Sequence, residues 1–185
     1  MRFLNIILII FLSLTNEIKA GSEDQILDNL QKGGNLIFIR HAYAPGGGDP
    51  DNFDIKDCTT QRNLNDVGRE QSKKIGKFFK ENKIPIDLVI SSEWCRCKET
   101  ASFAFSDYKT ESFLNSFFSE KFRKNKDLQI KNLKSYIRKW DKKNNLILVT
   151  HYVVILETLD YASSSGEIVI TDTNFKLIGS ISNIK

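Results

Sequence analysis

The chain has only two histidines, and each follows closely on a short apolar run. His41 comes after residues 35–39 with Arg40 beside it, and His151 comes after residues 146–149. An imidazole can act as a nucleophile or carry a proton near neutral pH, and a guanidinium binds phosphate oxygens through a planar set of donors. These residue types therefore indicate chemistry on an oxyanion, most simply a phosphate.

A third apolar run, residues 87–91, leads to Arg96 at the start of a predicted helix. Helix N-termini favour anions, and ligands of open α/β sheets bind beyond the carboxyl ends of the strands. A single histidine at a strand end is more often a packed residue than a catalyst. Because two histidines and two arginines share this position, we predict that Arg40, His41, Arg96 and His151 converge around one tetrahedral anion.

The elements that must position these residues alternate between strand and helix. Short apolar runs predict strands at residues 35–39, 87–91 and 146–149, with a further short strand near 112–114. One-sided apolar patterns predict helices that start at Ser22 and Asn65 and helices at residues 96–104, 126–140 and 152–159. Residues 166–170 and 175–178 are typical of a closing hairpin. The alternation favours one α/β domain, a three-layer α/β/α sandwich with a mostly parallel sheet.

The first twenty residues have the plan of a secretory signal peptide. Arg2 precedes an apolar stretch over residues 3–14, and the segment ends at Ala20. A membrane-spanning helix needs about 20 apolar residues, and this stretch is shorter. We expect a signal peptide at 1–20, a domain at 21–185, a periplasmic or secreted location and no stable membrane insertion after cleavage. The alternative is a buried N-terminal helix of the domain.

Composition restricts the partners. The chain has 27 Lys+Arg against 23 Asp+Glu, with a formal net charge of +4. This excess is mild and the lysines are scattered, so we predict no nucleic-acid partner. The expected partner is a small phosphorylated substrate, and the sequence specifies no oligomeric state.

The three cysteines, Cys58, Cys95 and Cys97, allow one disulfide in an exported protein. Cys95 and Cys97 are too close for an unstrained bridge if they share a helical turn. Pairing of Cys58 with one of them is the more natural option, and three unpaired thiols are the alternative. Cysteines and histidines are too few, at the wrong spacing, for a zinc site, so we predict neither a metal nor a cofactor.

Four segments, in this order, resemble the signatures of the histidine phosphatase superfamily. They are RHA at residues 40–42, QRNLNDVG at 61–68, SSEWCRCKETA at 91–101 and TH at 150–151. The resemblance implies a phosphoglycerate mutase-like fold and a metal-independent phosphatase that works through a phosphohistidine intermediate. It also implies roles: His41 is the nucleophile, Arg40 and Arg96 hold the phosphate oxygens, and His151 donates a hydrogen bond to the phosphate.

Arg62 lies in the long loop that follows the first strand, which should border the same edge of the sheet, so we predict that it contacts the substrate. The substrate is expected to be the phosphomonoester of a small metabolite or of an envelope glycan. Two alternatives are a phosphohistidine phosphatase and a non-catalytic module that binds phosphorylated ligands.

The residue that protonates the leaving group is not evident. Larger, phytase-like relatives carry Asp directly after the late histidine, where this chain has Tyr152. Mutase-like relatives place a Glu in the segment where Asn115 and Ser116 follow Leu114. The candidate acids are Asp49, Asp54, Glu111 and Glu120. Without a general acid, only phosphohistidine or activated phosphates should react readily.

Overall fold

Strands and helices alternate in the computed structural model, which describes residues 23–182 and residue 184. The strands are β1 (Leu36–Arg40), β2 (Ile86–Ser91), β3 (Lys109–Thr110), β4 (Asn145–Thr150), β5 (Ile168–Thr171) and β6 (Leu177–Ile181). The helices are α1 (Glu23–Lys32), α2 (Asp66–Glu81), α3 (Cys95–Phe105), α4 (Glu120–Arg123), α5 (Lys126–Lys139) and α6 (Tyr152–Leu159). The predicted signal peptide at 1–20 lies outside the described residues. Within them, every helix is too short or too polar to span a bilayer.

The strand predicted near residues 112–114 is wrong. Ser112–Leu114 forms a turn of 3-10 helix, in which the N–H groups of Leu114 and Asn115 donate to the carbonyls of Glu111 and Ser112 at 3.1 Å. The local i→i+3 bonds leave those N–H groups unavailable to a sheet. The short edge strand β3 lies two residues earlier.

The sheet is mostly parallel, as predicted, with the strand order β3-β2-β4-β1-β5-β6. The first four strands in this order run parallel, whereas β5 is antiparallel to β1 and forms the closing hairpin with β6. β1 and β4 are therefore central neighbours whose carboxyl ends meet at the same edge.

Helices cover both faces of the sheet, which confirms the three-layer α/β/α sandwich. Ile37 and Ile39 of β1 pack with α1, α2 and α3, whereas Leu36 and Phe38 pack with α5, α6 and the 112–114 turn. Because neither face of the central strands meets water, their side chains are apolar at consecutive positions instead of alternating with polar ones.

Candidate active site

The central pair of strands brings the two histidines together. Arg40 at the end of β1 is in register with Thr150 at the end of β4. The N–H of His41 donates to the Thr150 carbonyl at 2.9 Å, and the ring centroids of His41 and His151 are 5.5 Å apart. Both imidazoles are buried. The pairing of β1 with β4 thus creates the juxtaposition expected from the sequence.

A cavity of about 610 Å³ opens at this edge of the sheet. All five residues predicted for the site line it: Arg40, His41, Arg62, Arg96 and His151. The structure therefore gathers in one place residues that are up to 111 positions apart in the chain.

The hydrogen bonds of His41 fix its tautomer. Nδ1 lies 2.8 Å from the Ala42 carbonyl, and since a carbonyl only accepts, Nδ1 carries the proton. Thr100 holds the same turn by accepting the Ala42 N–H at 3.0 Å. Burial first, and then the positive charge of Arg96, lower the pKa of His41 well below its ordinary value. His41 is therefore a neutral imidazole with its lone pair on Nε2.

The turn after His41 depends on the start of α2. Asn65 caps this helix by accepting the Gly68 N–H at 3.0 Å. A Cβ built on Gly68 would lie 2.1 Å from the Tyr43 carbonyl oxygen, which is far inside contact distance. Only glycine lets the first turn of α2 approach the backbone just beyond His41 this closely.

His151 is oriented by Ser92, the residue that follows β2. Ser92 Oγ donates to Asn115 Oδ1 at 3.0 Å and lies 2.9 Å from His151 Nε2, so its single proton leaves it an acceptor toward the imidazole. Nε2 of His151 therefore carries the proton, and Nδ1 faces Nη2 of Arg96 at 3.5 Å. Burial, followed by the charge of Arg96, lowers the pKa of His151 well below its ordinary value.

Arg40 and Arg62 are held by backbone carbonyls. Arg40 donates from Nη1 to Ser163 at 2.7 Å and rests over the Tyr152 ring at 5.3 Å. Its Nε is buried and has no partner among the described residues. Arg62 donates from Nε to Gly48 at 2.9 Å and from Nη1 to Ala44 at 2.5 Å. The unpartnered Nε–H of Arg40 is energetically costly unless a ligand supplies the acceptor.

Arg96 is buried in an ion pair with Asp49. Its Nη1 and Nη2 donate to Oδ1 and Oδ2 of Asp49 at 2.6 and 3.2 Å. Nη1 also donates to the Arg62 carbonyl at 3.2 Å, and Nη2 meets His151. Its terminal N–H groups are thus all engaged, whereas its buried Nε has no partner among the described residues.

The Asp49 carboxylate is also saturated with donors. Besides Arg96, it accepts the Arg62 backbone N–H and Trp94 Nε1, both at 3.1 Å. Burial raises the pKa of Asp49, but the hydrogen bond and charge of Arg96 and the bonds from Trp94 and Arg62 outweigh it, and the pKa lies below its ordinary value. Asp49 is therefore an ionised acceptor and is not poised to give up a proton.

The other candidate acids lie away from the cavity. Asp54 lines a neighbouring cavity, Glu111 precedes the 112–114 turn, and Glu120 pairs with Arg123 on α4. Asp49 is the only carboxylate that lines the cavity in the described part of the chain. Tyr152, which occupies the position after His151, also lines it, below the Arg40 guanidinium.

A disulfide joins Cys58 in the long loop to Cys95 at the start of α3, which confirms that Cys58 pairs with one of the two later cysteines. Gln61 supports the junction by accepting the Cys95 N–H at 2.9 Å. Cys97 is a buried free thiol, and burial raises its pKa to about 12. The bridge therefore ties the loop that carries Asp49 and Arg62 to the residue next to Arg96.

Replacing Cys58 with serine should lower the free energy of unfolding by about 2–4 kcal/mol, because the bridge constrains the unfolded chain. Urea unfolding with and without reductant measures this change. The Cys58→Ser/Cys95→Ser double variant is the control, and reductant should not shift its midpoint. An equal midpoint for the wild-type chain in both conditions would contradict the stabilising role.

The sequence did not reveal three residues that shape the site, and it offered a fourth, Asp49, only as a candidate acid. Ser92 and Asn115 orient His151, Thr100 holds the turn after His41, and Asp49 holds Arg96. Ser92 and Thr100 lie within the motif block at 91–101, which was a usable signal. Asn115 contacts Ser92 across 23 residues and Asp49 contacts Arg96 across 47 residues, and no local pattern reports such contacts.

Comparison with known proteins gives one family match and a set of solved structures with a similar fold. Residues 36–122 match the model of the histidine phosphatase superfamily, branch 1. No curated protein matches the chain significantly.

Solved structures with a similar fold include the protein histidine phosphatase SixA complexed with tungstate, at 14% identity and a TM-score of 0.54, with 80% of this chain and 96% of that chain covered. SixA from Agrobacterium tumefaciens is 18% identical with a TM-score of 0.57, and the match covers 80% and 97% of the two chains. Phosphoglycerate mutase from Thermus thermophilus is 13% identical with a TM-score of 0.57, over 80% and 99%. At these identities the structures establish the fold alone.

Proposed function

This chain belongs to the histidine phosphatase superfamily, and we propose that it hydrolyses a phosphate monoester through a phosphohistidine formed on Nε2 of His41. The observation that carries the proposal is the fixed tautomer of His41. Its proton is held on Nδ1 by Ala42, so the Nε2 lone pair is available in the cavity that Arg40, Arg62 and Arg96 also line. A neutral, oriented imidazole is what nucleophilic attack on phosphorus requires.

The charges of the cavity suit a phosphate dianion. Three guanidiniums and the Asp49 carboxylate leave an excess of two positive charges, while both imidazoles are neutral. Arg40 and Arg96 line this cavity, and each has a buried Nε–H without a partner among the described residues. These donors are held in place before the substrate arrives, so they stabilise the charge of the transferring phosphoryl group without reorganisation.

Two displacements at phosphorus complete the reaction. Nε2 of His41 forms a bond to phosphorus as the bond to the leaving oxygen breaks, and that oxygen departs with the electron pair. Water then attacks the phosphohistidine, the P–N bond breaks, and its electron pair returns to Nε2. Both protons of the water end on the released phosphate. Neither step calls for a metal, because the guanidiniums supply the positive charge that a metal would bring to the phosphoryl oxygens.

The substrate is a small phosphorylated metabolite or a phosphorylated envelope glycan. The more basic the leaving oxygen of such a substrate, the more its departure depends on a proton from a general acid. Asp49, the one cavity carboxylate in the described residues, is ionised and bonded to four donors. The site therefore suits leaving groups that depart without help. The same observation favours a second candidate, hydrolysis of phosphohistidine, whose P–N bond also breaks without a strong acid.

Export belongs to this proposal as well. We propose that residues 1–20 act as a signal peptide and that the enzyme works in the periplasm or outside the cell. The Cys58–Cys95 disulfide supports an oxidising compartment.

The purified chain is expected to hydrolyse p-nitrophenyl phosphate in the presence of EDTA. Glycerol phosphate, whose leaving group is a strongly basic alkoxide, should react at least about 10²-fold more slowly in kcat/KM, since general acids typically contribute 10²–10⁴-fold. Strict dependence on added metal would overturn the mechanism. Phosphate binding without any turnover would favour the non-catalytic module.

A further inference from the structure

Two exposed aromatic rings line the cavity beside its charged groups. Phe118 is 65% exposed and Tyr43 is 44% exposed, and both belong to the cavity wall. Among the described residues, Phe103 is the only other large aromatic side chain that is similarly exposed. Apolar rings left open to water at the mouth of a polar site are typical of ligand contacts.

The position of Phe118 is fixed by its neighbours. Phe117 is buried in the core beneath the sheet, and Ser116 Oγ accepts the Phe118 N–H at 3.3 Å. Ser119, on the other side, precedes the first residue of α4. The backbone is thus anchored on both sides of Phe118. Its ring faces outward at the cavity from a fixed position.

Tyr43 is anchored in the same manner from the opposite segment of the chain. Its N–H donates to Gln71 Oε1 at 2.9 Å, and Gln71 in turn donates to the Ser165 carbonyl at 2.7 Å. Tyr43 stands two residues after the nucleophile, on the turn against which Gly68 packs. Both rings therefore have fixed backbones next to the phosphate site.

Among the described residues, the charged side chains of the cavity wall are Arg40, Arg62, Arg96 and Asp49. All four serve the phosphate position described above. A charged leaving group would find no complementary partner there. A neutral, planar ring can pack on Phe118 and Tyr43 through offset or edge-to-face contacts, which contribute beyond the area they bury.

We propose that the leaving group is a neutral phenolic ring, which makes the substrate an O-aryl phosphate, the chemistry shared by phosphotyrosine and small phenolic phosphates. This inference rests on the proposed phosphatase activity and names its substrate class. It agrees with the lack of a free acid, because a phenol has a pKa near 10 and leaves far more readily than an alkoxide. Phe118 and Tyr43 would determine specificity by contact with the departing ring.

The test compares a phosphate that has a ring with an activated phosphate that has none. Phe118→Ala should lower the ratio of kcat/KM for phenyl phosphate to that for acetyl phosphate by about 3- to 10-fold. This factor corresponds to the interaction free energy of one aromatic pair. Phe103→Ala removes a ring of 41% exposure on α3 that does not line the cavity, and should leave both activities unchanged. Phe118 is exposed, so its removal should not disturb folding, which circular dichroism checks.

The outcomes separate the inference from the activity on which it rests. Turnover of both compounds with an unchanged ratio in Phe118→Ala would overturn the aromatic subsite and leave the phosphatase intact. No turnover of either compound by the wild-type chain would overturn both. Hydrolysis of free phosphohistidine without turnover of phenyl phosphate would also overturn the aryl assignment. A higher kcat/KM for a phosphotyrosine peptide than for phenyl phosphate would identify a protein side chain as the source of the ring.

Discussion

Replacing His41 with alanine should lower kcat for p-nitrophenyl phosphate by at least about 10³-fold, and no phosphorylated enzyme should accumulate. Among the described residues of the site, Nε2 of His41 is the only unprotonated nitrogen without a hydrogen-bond partner. Nδ1 of His151 meets Arg96, and Nε2 of His151 is held by Ser92. No second imidazole nitrogen of this cavity can take over the attack at phosphorus.

His151→Ala is the matched control, because it removes the other imidazole from the same cavity. This variant should react slowly yet still form a labelled phosphoenzyme when mixed with ³²P-labelled substrate and quenched in alkali, where phosphohistidine is stable. His41→Ala should give no label, while its circular dichroism spectrum and its binding of inorganic phosphate persist. Full activity in His41→Ala, or label in it, would contradict the assignment of the nucleophile.

The placement of His41 and His151 was predictable because buried parallel strands have a distinct pattern. Residues 35–39 and 146–149 are apolar at nearly every position, and both faces of β1 and β4 pack against helices. The position just beyond such a run falls at the ligand-binding edge of the sheet. Fold class and the two histidines thus follow from local sequence alone.

The disulfide partner shows what local sequence leaves open. Cys95 and Cys97 are two positions apart on α3, so they point to different sides of the helix. Cys95 faces the long loop and bonds Cys58, whereas Cys97 Sγ lies 3.6 Å from the Thr150 carbonyl of β4. The choice depends on which side of α3 meets the loop, and this is a property of the packed structure.

The long loop was the least predictable part of the site. Residues 42–61 have no periodic pattern, so the sequence offered Asp49 and Asp54 as equivalent candidate acids. Tertiary contacts separate them, because Asp49 meets Arg96 from 47 residues away while Asp54 stays outside the cavity. The same contacts alter the chemistry expected of Asp49, from proton donor to ionised anchor.

Replacing Asp49 with asparagine should lower kcat by about 10- to 10²-fold, the cost of displacing a positioned group by about 1 Å. The Asp49 carboxylate accepts from Arg96, Trp94 and the Arg62 backbone, and an amide presents an N–H toward one of these donors. Arg96 then loses its fixed geometry beside His151. Inhibition by phosphate should become tighter, because one negative charge leaves the cavity while all three guanidiniums stay.

The dependence of the kcat loss on the leaving group distinguishes this positioning role of Asp49 from a general-acid role. The direction of the change in kcat/KM distinguishes it from a blocking role. An anchor affects every substrate alike, so the loss in kcat should be equal for phenyl phosphate and glycerol phosphate. If Asp49 were the general acid, the loss would be large for glycerol phosphate and small for p-nitrophenyl phosphate. If its carboxylate merely blocked Arg96 from the substrate, Asp49→Asn would raise kcat/KM.

Asp54→Asn provides the matched control, since it makes the same chemical change in the same loop at an exposed carboxylate. Asp54 accepts a local bond from the Lys56 N–H and lies outside the cavity that the three arginines line. Its kinetics and its phosphate inhibition should match those of the wild-type chain.

A decrease in kcat together with weaker phosphate inhibition in Asp49→Asn would mean that the substitution had disordered the loop. Tighter phosphate inhibition together with slower turnover in Asp49→Asn would show that the Asp49 carboxylate weakens phosphate binding but holds Arg96 in its catalytic position.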